Sequence, residues 1–226
     1  MLVSDWTPAA VVFDCDGLLV DTESCWTVAE TEIFARRGLS FGIAQKALFL
    51  GISVTAEARE MARIFGPGSN PHELEVELLE LAALAIGENA RPMPGACSFV
   101  ERVGRMLPVA VASNSPRRLL DLALERGGFA RSFRVSIAGD EVGAPKPAPD
   151  IYLEACRRLE VLPERALALE DSMTGVRSAR AAGLRVGCIP TLKELAYPAE
   201  HVFASLEDAG LLDWLGKWAQ ELRPPK

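Results

Sequence analysis

Two aspartates separated by one residue follow an unbroken apolar run near the start of the chain. Asp14 and Asp16 come directly after the run at residues 9–13, and Gly17 follows them. A carboxylate can attack phosphorus as a nucleophile, and a nearby carboxylic acid can protonate the leaving oxygen and then activate water. This spacing therefore predicts a nucleophile at Asp14 and a general acid/base at Asp16.

Further polar groups follow the later apolar runs of the chain. In chain order they are Ser113, Asn114, Lys146, Glu170 and Asp171. Ligands of an open parallel sheet bind beyond the carboxyl ends of its strands, so these groups and the two aspartates are expected to converge on one rim. Taken singly, each has an ordinary structural explanation as a turn residue, a helix cap or an exposed lysine. Their joint placement at strand ends favours a functional site.

The expected rim is suited to phosphoryl chemistry with a hard cation. Clustered carboxylates raise one another's pKa unless a cation neutralises them, and oxygen-only ligands favour Mg²⁺. Glu170 and Asp171 would complete this metal site. Ser113 would donate a hydrogen bond to a phosphoryl oxygen, and the ammonium group of Lys146 would stabilise developing negative charge.

Four segments that contain these residues resemble the motifs of the haloacid dehalogenase superfamily. They are DCDGLLVD from Asp14, VAVAS ending at Ser113, KPAPD from Lys146, and LEDS ending at Ser172, with Gly175 beyond. The resemblance spans residues 11–189. It implies a Rossmann-like core with a helical cap inserted between the first and the second motif.

The resemblance also implies a role for each matching residue. Asp14 corresponds to the nucleophile, which forms an aspartyl-phosphate, and Asp16 corresponds to the general acid/base. The implied Mg²⁺ ligands are the carboxylates of Asp14 and Asp171 and the backbone carbonyl of Asp16, with Glu170 either a direct ligand or a support for one. The dehalogenases of the superfamily lack an aspartate at the position of Asp16, so cleavage of a carbon–halogen bond is disfavoured.

The closest subgroup by general pattern contains β-phosphoglucomutase and many sugar-phosphate phosphatases. The mutase uses a His after the first motif and an Arg in the cap, where this chain has Trp26 and Val54. Both departures favour hydrolysis of a phosphomonoester over the mutase reaction, which stays the alternative. A non-catalytic binding protein is disfavoured because no catalytic group is missing.

Strands and helices alternate along most of the chain. Apolar runs at residues 9–13, 108–112, 135–138, 166–169 and 185–189 predict strands. Helical patterns at residues 115–126, 150–159 and 174–182 separate most of the later ones. This alternation predicts an α/β fold, a Rossmann-like doubly wound parallel sheet.

Residues 22–91 interrupt this alternation. Helical periodicity without convincing strands covers residues 26–37, 44–50, 55–65 and 71–86. We therefore predict a core of residues 1–21 and 92–226 with a helical cap at 22–91. The cap would exclude bulk water and select the leaving group, with Trp26 and the turn at residues 51–53 as specificity candidates.

The expected contacts with the substrate come from both parts of the chain. The predicted substrate-binding residues are Gly17, Gly51, Ser113, Asn114 and Lys146. The expected substrate is a small phosphorylated metabolite, such as a sugar phosphate.

The bulk composition excludes several other classes of protein. The 226 residues carry a net charge of −7, which disfavours binding to a nucleic acid, and contain no apolar stretch long enough to span a membrane. The N-terminal residues lack the pattern of a secretory signal. The five cysteines include no CxxC pair and are expected to be reduced and mostly buried. We expect a cytoplasmic monomer or weak homodimer.

Overall fold

A single parallel sheet organises the chain. The computed structural model describes residues 6–222. Within this range the sheet has six strands in the order β3-β2-β1-β4-β5-β6. They are β1 (Ala10–Phe13), β2 (Val109–Ser113), β3 (Val135–Ala138), β4 (Ala166–Glu170), β5 (Arg185–Cys188) and β6 (His201–Val202).

The apolar runs form strands because both faces of the sheet are covered. Every residue of β1, β2 and β4 is buried, as expected for strands in the centre of a parallel sheet. The five predicted strands are confirmed, each to within one residue at either end. The two-residue strand β6 was not predicted, because it is too short to show a pattern and lies half exposed at the sheet edge.

Helices pack on both faces of the sheet and also fill the segment between the first two strands. They are α1 (Glu23–Ala35), α2 (Ile43–Phe49), α3 (Val54–Phe65), α4 (Pro71–Asn89), α5 (Ala96–Gly104), α6 (Arg117–Arg126), α7 (Asp150–Leu159), α8 (Met173–Ala181) and α9 (Ala209–Glu221). The predictions had named neither α5 nor α9.

Alternate residues of β1 belong to different cores. Val11 and Phe13 lie in a core with the apolar sides of α5, α6 and α9. Ala10 and Val12 lie in a second core with α7 and α8. Two layers of helices therefore enclose the sheet, and the doubly wound α/β fold is confirmed.

The inserted helices form the predicted cap. Helix α4 packs against α1 and α3, and Phe34 lies 4.8 Å from Phe65 and 5.2 Å from Phe41 between ring centroids. Helix α4 begins after Asn70, whose Oδ1 accepts a hydrogen bond from the backbone N–H of His72. The division into a cap at 22–91 and a core around it stays a prediction.

The ends of the chain lie outside the description. Residues 1–5 and 223–226, which include both ends of the predicted core and most of the segment searched for a secretory signal, are not among the described residues. None of the helices within residues 6–222 combines the length and the hydropathy needed to cross a bilayer.

Candidate active site

The site lies at the carboxyl ends of the central strands, where strand register brings two acids together. Phe13 at the end of β1 pairs with Leu169 of β4 on one side and with Val111 of β2 on the other. Asp14 and Glu170 therefore leave neighbouring strands side by side. Three of the predicted segments thus reach the same rim.

Lys146 joins these two acids. Its buried Nζ donates hydrogen bonds to Asp14 Oδ1 and to Glu170 Oε1, each at 2.5 Å. Burial alone would lower the pKa of Lys146, but the two carboxylates outweigh it and raise that pKa. Burial raises the pKa of Asp14 well above its usual value, and the charge of Lys146 opposes this shift. The lysine is therefore a fixed cation next to the predicted nucleophile.

Glu170 is fully buried and its carboxylate is held from several sides. Oε1 also accepts a hydrogen bond from the Tyr152 hydroxyl at 2.6 Å, and Oε2 accepts one from the backbone N–H of Asp171 at 3.1 Å. A Cβ on Gly175 would lie 1.9 Å from Oε1, so only glycine leaves room for this carboxylate. This arrangement fixes Lys146 against Asp14.

Asp16 accepts three hydrogen bonds from hydroxyl groups. Oδ1 accepts from Thr22 at 2.6 Å, and Oδ2 accepts from Ser113 at 2.6 Å and from Ser115 at 3.0 Å. Ser113, expected to bind a phosphoryl oxygen, thus donates to Asp16. Thr22 and Ser115 were not predicted, although Ser115 lies two residues after Ser113.

Asn114 connects the cap to the loop that carries Lys146. Its Nδ2 donates to the backbone carbonyls of Gly51 at 3.1 Å and of Lys146 at 3.2 Å, and its Oδ1 accepts from the Lys146 backbone N–H at 2.8 Å. Gly51 has φ +74°, and a Cβ there would lie 2.9 Å from the side chain of Ser172. Both predicted residues therefore lie at the junction of cap and core.

Gly17 allows the chain to turn beside Asp171. It has φ +78°, and a Cβ would lie 2.5 Å from Asp171 Oδ2. The same oxygen accepts a hydrogen bond from the Thr191 hydroxyl at 2.5 Å. Burial raises the pKa of Asp171 well above its usual value, and the charges of Asp14 and Glu170 add to this effect.

Three buried carboxylates form a set that suits a divalent cation. Asp14, Glu170 and Asp171 each offer an oxygen, and these oxygens lie within 4.8 Å of one another. Lys146 supplies one positive charge against the three acids. Oxygen donors with excess negative charge match the preference of Mg²⁺. The residues present therefore fit the predicted metal, with Glu170 the most heavily hydrogen-bonded of the three.

A cavity of about 50 Å³ lies above Asp14 between core and cap. The core contributes Asp16, Asn114, Ser115, Lys146, Asp171 and Ser172 to its lining, besides Asp14. The cap contributes Glu23, Trp26, Glu30, Lys46, Phe49, Gly51, Ile52, Val54 and Glu57. Of the specificity candidates, Trp26, Gly51 and Ile52 line this cavity, whereas Ser53 is not part of its lining.

The charged residues of the cap wall were not predicted. Glu23 and Glu30 are seven residues apart, a spacing that places both on one face of α1. Glu57 lies among the buried apolar residues of α3. The seven-residue spacing of Glu23 and Glu30 and the position of Glu57 among apolar residues were the available sequence signals for a polar site inside the cap.

Cys15 takes no part in this site. It is fully buried within the larger apolar core, and burial raises the pKa of its thiol well above the usual value. All five cysteines are free, and only Cys97 is exposed.

Comparisons with known proteins agree with this geometry. The family model for haloacid dehalogenase-like hydrolases matches residues 8–183. The protein CbbY of Rhodobacter capsulatus is 35% identical over 195 residues, which cover 80% of this chain and 85% of that protein. The (DL)-glycerol-3-phosphatase 1 of Arabidopsis thaliana is 34% identical, over 90% of this chain and 72% of the relative.

A solved structure extends the likeness to three dimensions. A crystal structure of a CbbY variant from Rhodobacter sphaeroides in complex with xylulose 1,5-bisphosphate has a TM-score of 0.79 and 26% sequence identity. The match covers 91% of this chain and 99% of that one. By fold, by motif and by the extent of these matches, the chain belongs to the family of haloacid dehalogenase-like hydrolases.

Proposed function

We propose that the chain is a Mg²⁺-dependent phosphomonoester hydrolase that acts on a small phosphorylated metabolite through an aspartyl-phosphate on Asp14. The observation that carries this proposal is the buried Asp14 carboxylate, which Lys146 holds at 2.5 Å beside a cavity that Asp171 also lines. The name of the Arabidopsis relative, a glycerol-3-phosphatase, supports the reaction class.

In the first step a carboxylate oxygen of Asp14 forms a bond to phosphorus. The bond between phosphorus and the leaving oxygen breaks, and Asp16 gives its proton to that oxygen. The three hydroxyl donors around Asp16 hold its carboxyl group in place for this transfer. The proposed contact of Ser113 with a phosphoryl oxygen requires its hydroxyl to rotate away from Asp16.

In the second step water attacks the phosphorus of the aspartyl-phosphate. Asp16 takes the proton of the water, the bond between Asp14 and phosphorus breaks, and inorganic phosphate leaves. Lys146 stays protonated throughout, because its raised pKa keeps it a cation, and it faces the negative charge that develops on the phosphoryl group.

The carboxylates of Asp14 and Asp171 and the backbone carbonyl of Asp16 are the proposed Mg²⁺ ligands. When bound, the cation would offset the charge of these acids and of the phosphoryl oxygens. Glu170 supports the site mainly through Lys146, since Tyr152 and backbone N–H groups already occupy its oxygens.

Hydrolysis is favoured over the mutase reaction by the cavity lining. Trp26 and Val54, which stand where the mutase has its His and Arg, both line the cavity. The described lining residues include no His and no Arg. The cytoplasmic location and the state of monomer or weak homodimer remain predictions.

Phosphate release tests this proposal. Wild-type protein is incubated with p-nitrophenyl phosphate and a panel of small phosphoesters, with Mg²⁺ and with a chelator, beside Asp14→Asn. We expect Mg²⁺-dependent release that disappears in the variant. If folded wild-type protein releases no phosphate from any ester, while phosphoryl transfer between sugar positions occurs with a bisphosphate activator, the mutase alternative replaces the proposal.

A further inference from the structure

Four of the residues on the cap wall of the cavity are charged. They are Glu23, Glu30, Lys46 and Glu57, here called the cap cluster. All four come from helices of the inserted segment, α1, α2 and α3. None of them takes part in the phosphoryl chemistry described above, so their place in the cavity calls for another role.

Lys46 is already neutralised within the cap cluster. Its Nζ lies 2.8 Å from Glu23 Oε2 and 3.1 Å from Glu30 Oε2. It also donates to the backbone carbonyl of Glu23 at 3.4 Å. An ammonium group has three donors, and hydrogen bonds from Nζ go to both carboxylate oxygens of Glu30 and to this carbonyl, while Glu23 Oε2 adds its charge without a hydrogen bond. Lys46 is therefore not available to bind an anionic group of a substrate.

Glu57 has a carboxyl oxygen that is left without a partner. The residue is only 5% exposed, and no described residue forms a hydrogen bond with its Oε1. A buried polar atom without a partner is costly in a folded protein, so its presence on a cavity wall indicates a ligand. Burial and the nearby Glu30 raise the pKa of Glu57, which favours the neutral acid.

The chemistry of Glu57 distinguishes between classes of ligand. A hydroxyl group both donates and accepts, so it can pair with Oε1 whichever oxygen of Glu57 carries the proton. A carboxylate or phosphate only accepts, and it would approach the carboxylates of Glu23 and Glu30. Like charges brought together in this way oppose binding strongly.

The two ends of the cavity thus differ in charge. Lys146, with the cation that the three acids fit, favours an anionic group at the core end. The cap cluster holds more carboxyl groups than ammonium groups at the other end. We propose that the cap cluster selects monophosphates of neutral, hydroxyl-bearing compounds and rejects substrates that carry a second anionic group. A hydroxyl of the substrate would pair with Glu57. This proposal rests on the proposed phosphatase function.

Matched pairs of substrates test this selectivity. Glycerol 3-phosphate is compared with 3-phosphoglycerate, and fructose 1-phosphate with fructose 1,6-bisphosphate. We expect kcat/KM to favour the neutral leaving group by at least about tenfold in both pairs. Wild-type kcat/KM equal to or higher for the anionic member of both pairs would overturn the proposal.

Variants of the cap cluster test its cause. Glu30→Gln removes one of the two carboxylates that neutralise Lys46, so the preference should fall about tenfold through improved use of the anionic members. Glu57→Met removes the hydroxyl contact and should lower kcat/KM for glycerol 3-phosphate about tenfold. Glu80→Gln removes a carboxylate from the exposed surface of α4 and should match wild type.

Melting temperatures are measured for all three variants. A preference unchanged in a folded Glu30→Gln protein argues against the cap cluster as its source.

A measurement of substrate binding separates the test of selectivity from the test of the proposed function. Dissociation constants of the same pairs are measured by calorimetry with the Asp14→Asn protein, which needs no turnover. If wild type releases no phosphate from any ester of the panel, the phosphatase proposal fails, yet tighter binding of the neutral members would still support the selectivity. Equal or tighter binding of the anionic members would refute it.

Discussion

Replacement of Gly175 by alanine tests how tightly the buried Glu170 is held. The added Cβ would lie 1.9 Å from Glu170 Oε1 and 2.0 Å from Cδ and Oε2. To restore an ordinary contact of about 3.4 Å, the carboxylate must retreat by about 1.5 Å. Lys146 is bound to this carboxylate at 2.5 Å and must move with it or lose the contact.

The expected loss follows from that displacement. A misplacement of about 1 Å in a catalytic arrangement can cost about 10²-fold in rate, so kcat/KM should fall by about that factor. Overpacking typically costs about 1–3 kcal/mol of stability, and each kcal/mol lowers the melting temperature of a domain of this size by about 2–4 °C.

The assay measures acetyl phosphate hydrolysis and calorimetric melting for Gly175→Ala and for a matched control. A Cβ added to Gly87 on α4 would meet no atom within 4 Å, so Gly87→Ala should keep its activity and gain up to about 1 kcal/mol. Wild-type activity and melting in Gly175→Ala would refute the inference that Glu170 fixes Lys146.

Further predictions concern the same charged network. Lys146→Met should lower kcat by about 10²-fold or more, because it removes the fixed cation beside Asp14; steady-state rates check this, and a near-normal kcat would contradict it. Tyr152→Phe removes a hydrogen bond to the buried Glu170 carboxylate and should lower the free energy of unfolding, measured with denaturant, by about 1.5–3 kcal/mol. An unchanged free energy of unfolding would contradict a stabilising role for that bond. In metal-free protein, Asp14 and Asp171 have raised pKa values, so each binds its proton more tightly when folded. The stability from this proton binding is present at low pH and is lost as pH rises through the raised pKa values, so the melting temperature should fall as pH rises above the usual pKa of an aspartate, and Mg²⁺ should restore it at the upper end of this range. A melting temperature that rises over this range in chelator would contradict the assignment of these acids.

The sheet could be predicted from the sequence because its strands are buried on both faces. An unbroken apolar run bounded by polar residues is a strong signal for such a strand, and the bounds agree to within one residue. The carboxyl ends of these strands also marked Asp14 and Glu170 correctly as neighbours. Phe13 and Leu169 are paired in the parallel sheet, so the residues that follow them lie at the same edge.

Two core helices were missed although their patterns were present. Buried Leu211, Trp214, Leu215 and Trp218 in α9 have the spacing of one helix face, as do Ala96, Phe99, Val100 and Val103 in α5. Both helices begin at small residues next to a turn. No strand follows α9 within the described residues that would have marked it as part of an alternating unit.

The cap cluster could not be predicted with the same certainty. A glutamate on a helix normally faces solvent, and only the packing of α1, α2 and α3 around one cavity shows that Glu30 and Glu57 are buried. The partner of Lys46 depends on a contact across 16 residues and two helices. Such contacts arise from tertiary packing, which local periodicity does not encode.

Direct trapping of the phosphoenzyme tests the central claim, that Asp14 is the nucleophile. Asp16→Asn should slow the attack of water, and acetyl phosphate needs little acid assistance to leave, so the intermediate should accumulate in this variant. After an acid quench, mass spectrometry should find a phosphoryl group on the peptide that contains Asp14, and none in Asp14→Asn. Phosphate release at the wild-type rate by Asp14→Asn, or a phosphoryl group on another residue, would contradict the account.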